Sequence, residues 1–206
     1  MAVSDSLWVT TIIDSGRGVV DTPFVASFLT LGWIPLAASL VVLRFGSPSQ
    51  GFVVAQLLTA SIVILGPYQA YKYDTEVLPG FFKNVSSIIA DEDQSKVENI
   101  RSQALRLFRN KHLPLVLVWT VMVVSVLPLN SDYFVAQGIA STSLLYWVYL
   151  CFLIDFGILS GLGLFSVIVT TYSIRSIADL QLQIDSLHPD GLGGLSTIGG
   201  FAIWTT

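Results

Sequence analysis

A chain of 206 residues that is 53% hydrophobic and only 12% charged carries more apolar surface than one aqueous core needs, since soluble domains are roughly 25% charged. That balance excludes an ordinary soluble globule and a disordered chain, and the single cysteine, Cys151, excludes an intrachain disulfide framework or a cysteine-based zinc cluster. A formal charge of -4 gives no basic footprint for nucleic acid, so a lipid bilayer is the expected medium and partner.

Residues 1–22 form the N-terminal segment. Met1 to Ser6 has no Lys or Arg and the apolar run Trp8 to Ile13 is short and broken by threonines, so no secretory signal is read and the segment is expected to stay attached. Trp8, Ile12, Ile13, Val19 and Val20 offer a face for the headgroup layer; a flexible tail is the other reading.

A hydrocarbon layer about 30 Å thick needs roughly 20 apolar helical residues. Residues 23–71 supply two such spans. The first runs from Pro23 to Leu43 and is closed by Arg44; the second runs from Phe52 to Tyr71, with Gly66-Pro67-Tyr68 expected at the interface beside Lys72.

Residues 72–112 differ in composition and are expected to fold as a helical hairpin. Phe81, Phe82, Val85, Ile88 and Ile89 have the spacing of one helical face, preceded by a break at Pro79-Gly80. A second helix is expected to start at Ser95 with a Ser95–Glu98 capping box, and to bury Val97, Ile100, Ala104, Leu107 and Phe108. Its last part carries Arg101, Arg106, Arg109 and Lys111 without an acid, a pattern that attracts anionic lipid headgroups or serves as a topology signal on a solvated helix.

Residues 113–172 hold the third span, Leu113 to Leu129, bracketed by Pro114 and Pro128, and a fourth from Leu144 to Tyr172. The fourth is far longer than a bilayer requires. Two short spans, Tyr133 to Ile154 and Phe156 to Ile174, would give five in all, but a turn at Asp155-Phe156-Gly157 leaves backbone groups unsatisfied in lipid, and one span is preferred. With four spans, nine of the ten Lys and Arg fall on one side (Arg17, the seven from Lys72 to Lys111, and Arg175) against Arg44 on the other, so both termini and the hairpin are expected in the cytoplasm.

Asp155 is the one formal charge inside a span, where a carboxylate costs about 2.5 to 3.5 kcal/mol on insertion scales. It therefore needs a proton, a cation or a hydrogen-bonding partner; Gln56 and Ser61 in the second span and Ser160 and Ser166 in the fourth are the intramembrane polar residues that could assist it. Gly157 and Gly161 form a Gly-x-x-x-Gly pair, with Gly163 close by, suited to the approach of another helix.

Residues 173–206 contain a glycine-rich turn and a short apolar end. Asp185, His188 and Asp190 are candidate ligands for a divalent metal, although Pro and Gly there also make an ordinary turn. The stretch His188-Pro189-Asp190-Gly191-Leu192-Gly193-Gly194 resembles a segment of prokaryotic multi-pass membrane proteins, haloarchaeal ones included. The resemblance covers about ten residues and implies architecture alone. Leu195 to Trp204 is too short to span, so a fifth span beyond Thr206 and a surface or re-entrant segment packing on a partner are both open.

The sequence thus predicts an all-α integral membrane bundle of four helices, five in the alternative, in the cell membrane. Its expected role is a non-enzymatic scaffold or complex subunit, as a homo-oligomer or with another membrane protein. A channel or transporter protomer using Asp155 ranks second and a membrane-embedded metal enzyme third; no cofactor is assigned.

Overall fold

The computed structural model describes residues 6–180 and 196–205, and among these the chain is helical without a strand. Helix α1 covers Trp8–Gly16, α2 Pro23–Phe45, α3 Gln50–Lys72, α4 Leu78–Val85, α5 Gln94–Asn110, α6 Leu113–Leu129, α7 Ser131–Ala136, α8 Leu144–Ala178 and α9 Ser196–Thr205. Three helical stretches, Pro23–Phe45, Gln50–Ile88 and Leu144–Ala178, are long and apolar enough to cross a bilayer; Gln94–Asn110 with Leu113–Leu129, bent by 41°, makes a fourth when the pair is counted as one.

Prolines shape these helices without ending them. Pro23 opens α2, where its missing N–H would have no intrahelical partner. Pro35 lies deeper in the same helix and follows a widened turn at Phe28–Gly32, and Pro79 likewise follows a widened turn at Tyr73–Val77. A wide turn relieves the clash between a proline ring and the preceding carbonyl while the helix continues. The break expected at Pro79-Gly80 is therefore absent. Pro67 also sits inside α3, so Gly66-Pro67 does not close the helix, and helical structure persists from Gln50 to Ile88.

The second loop helix begins one residue before the expected start, with Asp93 at the cap position and no side-chain cap bond. The Ser95–Glu98 capping box does not form because Ser95 already lies inside the first turn, past the cap position; Glu98 pairs with Arg101 at 3.2 Å and Asp93 with Lys96 at 2.7 Å. Gln94 Nε2 instead donates to the carbonyl of Ser86 at 2.6 Å, joining the new helix to the end of the previous one.

Helix α6 has the bounds read from the sequence, and its 17 residues make about 26 Å of helix, near the lower limit for a crossing. Helix α8 is unbroken through Asp155, Phe156 and Gly157, so the turn required by the two-span reading is not there. Its 35 residues reach about 52 Å, well beyond one hydrocarbon layer.

The chain divides into two compact units. The first, here the bundle unit, comprises Thr11–Ala70 and Leu113–Leu162. Its core gathers Val42, Phe52, Ala60, Val63, Leu127, Phe134, Ile139, Tyr149, Phe152 and Leu153. Phe52, Phe134 and Tyr149 form its aromatic centre, with Tyr149 5.8 Å from Phe52 and 5.4 Å from Phe134 between ring centroids. Outward side chains are apolar too: Leu58, Leu117 and Val121 are 64%, 65% and 60% exposed, a surface that suits acyl chains rather than water.

The other unit comprises Met1–Thr10, Tyr71–His112 and Gly163–Thr206 and is here the loop unit. Phe81, Phe82, Val85, Ile88 and Ile89 are all buried, as the helical spacing predicts, and Val97, Ala104 and Phe108 are the buried stripe of α5. The short apolar C-terminal stretch becomes α9, whose Phe201 stacks on Phe81 with ring centroids 3.9 Å apart.

Candidate functional site

Asp74, which sits in the widened turn after α3, is a densely bonded buried polar group of the loop unit. Tyr73 and Asp74 both end up buried while Thr75 and Glu76 stay exposed. Burying a carboxylate is unfavourable unless its oxygens find donors. Here Oδ1 accepts from Arg109 Nε at 2.8 Å, and Oδ2 accepts from the Leu7 amide at 3.1 Å and the Thr10 hydroxyl at 2.9 Å.

Each donor has a reason to be available. Leu7 precedes α1, and amides at a helix start lack intrahelical acceptors while the helix dipole favours negative charge there. Arg109 stands in the last turn of α5, so its charge also complements that helix's C-terminal end. One carboxylate thus joins three stretches of chain that are far apart in sequence.

Tyr73 completes the junction. Its ring meets Phe108 edge-on at 4.8 Å and stacks near Phe201 at 6.2 Å, and its hydroxyl lies 2.9 Å from the Thr170 hydroxyl and donates to the Ser166 carbonyl at 3.2 Å. Nearby in sequence, His112 is buried in the break between α5 and α6. Its Nδ1 lies 2.9 Å from the Phe108 carbonyl, which can only accept, so Nδ1 carries the proton and Nε2 presents a lone pair. Among the described residues that nitrogen has no partner. Burial holds the His112 pKa below its ordinary 6.5, with the Phe108 hydrogen bond acting in the opposite direction.

The residues singled out from sequence are distributed differently. Of the basic set, Arg109 faces Asp74 and Arg101 pairs with Glu98, while Arg106 and Lys111 remain exposed for solvent or headgroups. Gln56 is buried and its Nε2 donates to Ser39 Oγ at 2.8 Å, linking α3 to α2. Ser166 bonds back to the Gly163 carbonyl at 2.7 Å. Neither residue is brought to Asp155, which is half-buried on α8 and has no hydrogen-bond or ionic partner among the described residues. A Cβ added to Gly157 would lie 2.8 Å from Thr120 Cα, and one at Gly161 would lie 3.2 Å from Val116 Cα, so both glycines admit the α6 backbone. Gly163 has open space where its Cβ would be. Asp185, His188 and Asp190 lie outside the described residues, as does the glycine-rich turn; among those described, no group of three His, Cys, Asp or Glu is placed to hold a metal.

Asp74 escapes a reading of composition because it counts as one acid among several in the loop. A signal does exist: Asp74, Leu78, Phe81, Phe82 and Val85 follow one helical phase, so the acid continues a stripe of buried positions. Its partner gives none, since Arg109 stands 35 residues further on. Gln137 escapes for the same reason. Its backbone carbonyl accepts from Ser47 N at 2.9 Å and its Oε1 accepts from Ser49 N at 2.6 Å, pinning the α2–α3 connection.

Comparison with protein families, curated proteins and solved structures finds no match to this chain.

Proposed function

We propose that this protein is a non-enzymatic integral membrane scaffold or complex subunit with four spans, residing in the cell membrane. In this reading both termini are cytoplasmic and residues 72–112 form a cytoplasmic helical hairpin. One observation carries it: the polar side chains within the apolar helices are largely taken up by bonds to a neighbouring helix or to the backbone of their own. Gln56 binds Ser39 across two helices, and Trp119 Nε1 donates to Ser160 Oγ at 2.9 Å across two more. Thr59, Ser61 and Thr120 bond to carbonyls of their own helices. A pathway for solute needs polar groups turned toward a passage, whereas these are satisfied within the protein, either by each other or by the backbone of their own helix.

Two measurements test this. Crosslinking in native membranes is expected to capture a species larger than the monomer, and monomer alone overturns the scaffold. On a Cys151→Ser background, single cysteines at Ser15, Ser47 and Ser95 report topology: 15 and 95 are expected to react from the same side and 47 from the other. Asp155, which lacks a partner among the described residues, favours a second reading as a channel or transporter protomer. Ion flux into liposomes that disappears in Asp155→Asn would establish it.

A further inference from the structure

One line of α8, exposed at its first four positions and half-buried at the fifth, follows a particular order. Leu144, Trp147, Cys151, Ile154 and Ile158 are separated by alternating steps of three and four, the spacing of a seam between two supercoiled helices. Leu144 and Trp147 are 78% and 59% exposed, and Cys151 is exposed. Lipid alone explains such a face, because any membrane helix shows apolar residues outward. Asp155 is what lipid does not explain. It stands directly beside the seam, at the flanking position where paired helices place interhelical charges, and roughly midway through a crossing of about 20 residues that begins near Leu144.

Among the described residues nothing pairs with it. All ten Lys and Arg lie outside Pro23–Leu43, Phe52–Tyr71 and Leu113–Ile174, and none pairs with Asp155. A second copy fares no better. A parallel pair of α8 helices would set Asp155 against Leu150 or Gly157, and an antiparallel pair against Val148, Leu162 or another Asp155. The glycine notch is already filled by α6 and points elsewhere around the helix.

We infer that the α8 seam docks a transmembrane helix of a different protein, one that carries a Lys or Arg at mid-membrane depth to meet Asp155. The seam supplies shape and the carboxylate supplies selectivity, since a basic residue and an acid are each unfavourable in hydrocarbon alone and are relieved together. This rests on the scaffold reading and names the partner class for it.

The test uses the full-length protein in lipid nanodiscs and biotinylated synthetic Leu/Ala helices of roughly 24 residues, with either Lys or Leu at the centre. Wild-type protein is expected to be retained about tenfold more by the Lys helix than by the Leu helix, within the range of interhelical polar bonds in membranes. Asp155→Asn should fall to the Leu-helix level and Asp155→Glu should keep the preference. Equal retention by wild type needs no variant and overturns the inference, as does a Lys preference that survives Asp155→Asn. An oxidative Cys151–Cys151 disulfide that depends on Asp155 would also overturn it and assign the face to a second copy. Equal retention in membranes where larger crosslinked species persist removes this inference alone; loss of those species as well removes the scaffold.

Discussion

The loop unit and the bundle unit solve the same problem with different forces. In the loop unit a fully buried carboxylate gathers an arginine, a hydroxyl and a helix-start amide, so a few directional bonds fix which segments meet. In the bundle unit the contacts are made mostly by apolar side chains and by bare backbone at Gly157 and Gly161, with Gln56–Ser39, Trp119–Ser160 and the Gln137 bonds to Ser47 and Ser49 as scattered polar links. In the proposed membrane reading the difference follows from the medium. Lipid offers no hydrophobic drive for helix association, so close packing of small residues must supply it, whereas a unit rich in charges can specify its partners electrostatically.

The sharpest way to break that contrast is to remove one half of the loop unit's ion pair. Arg109→Ala leaves the Asp74 carboxylate buried beside two neutral donors, a loss on the order of 3 kcal/mol or more. Thermal unfolding in detergent should show a large drop in Tm and earlier release of residues around Leu7 in hydrogen exchange. Asp74→Asn combined with Arg109→Met should recover much of the loss, because no buried charge is then stranded. If Arg109→Ala unfolds like the wild type, the junction does not hold the unit together.

In the bundle unit the matching experiment is steric. Gly157→Ala places a methyl 2.8 Å from Thr120 Cα and forces α6 and α8 apart, at about 1 to 3 kcal/mol. Gly163→Ala meets nothing within 4 Å and should be neutral or slightly stabilising, as alanine is the better helix former. Equal effects of the two substitutions on Tm would mean that glycine-mediated approach is not what holds these helices. A smaller loss is expected for Gln56→Leu, about 0.6 kcal/mol, the typical worth of one interhelical hydrogen bond in a membrane protein. Comparing it with Arg109→Ala weighs a neutral polar link against a charged one.

How far the sequence reveals these structures also differs between the units. Apolar runs are local patterns, so α6 appears at Leu113–Leu129 and α8 starts at Leu144, as composition predicts. The stripes of α4 and α5 are legible for the same reason: helical periodicity records which face is covered. Local rules fail where a neighbour competes. Ser95 and Glu98 have the spacing of a capping box, yet the helix starts at Gln94 and leaves Ser95 past the cap position; Pro79-Gly80 looks like a break, yet the wide turn before it carries the helix through. The Asp74–Arg109 and Ser49–Gln137 contacts are not legible at all, because residues 35 and 88 positions apart leave no periodic trace in one sequence. Of the intramembrane residues singled out beforehand, Gln56 reaches a partner on another helix, while Asp155 has none among the described residues.

The mildest perturbation is pH, and it bears on the loop unit through His112. Its folded pKa lies below the ordinary 6.5 because burial disfavours the imidazolium. The unfolded chain therefore binds the proton more readily than the folded one, so the stability contributed by neutral His112 is fully present above about pH 6.5 and declines as pH falls through the folded pKa. Melting followed from pH 7.5 down to 5 should show Tm falling with acidity, and His112→Gln should flatten part of that slope, since an amide of similar reach takes up no proton. Because His112 occupies the bend between α5 and α6, the acid-induced loss should appear first in hydrogen exchange near Phe108 and only later around Phe52 and Tyr149. A uniform response across both units would mean that another group sets the slope. A graded one would show that the loop unit yields to protons before the core of the bundle unit.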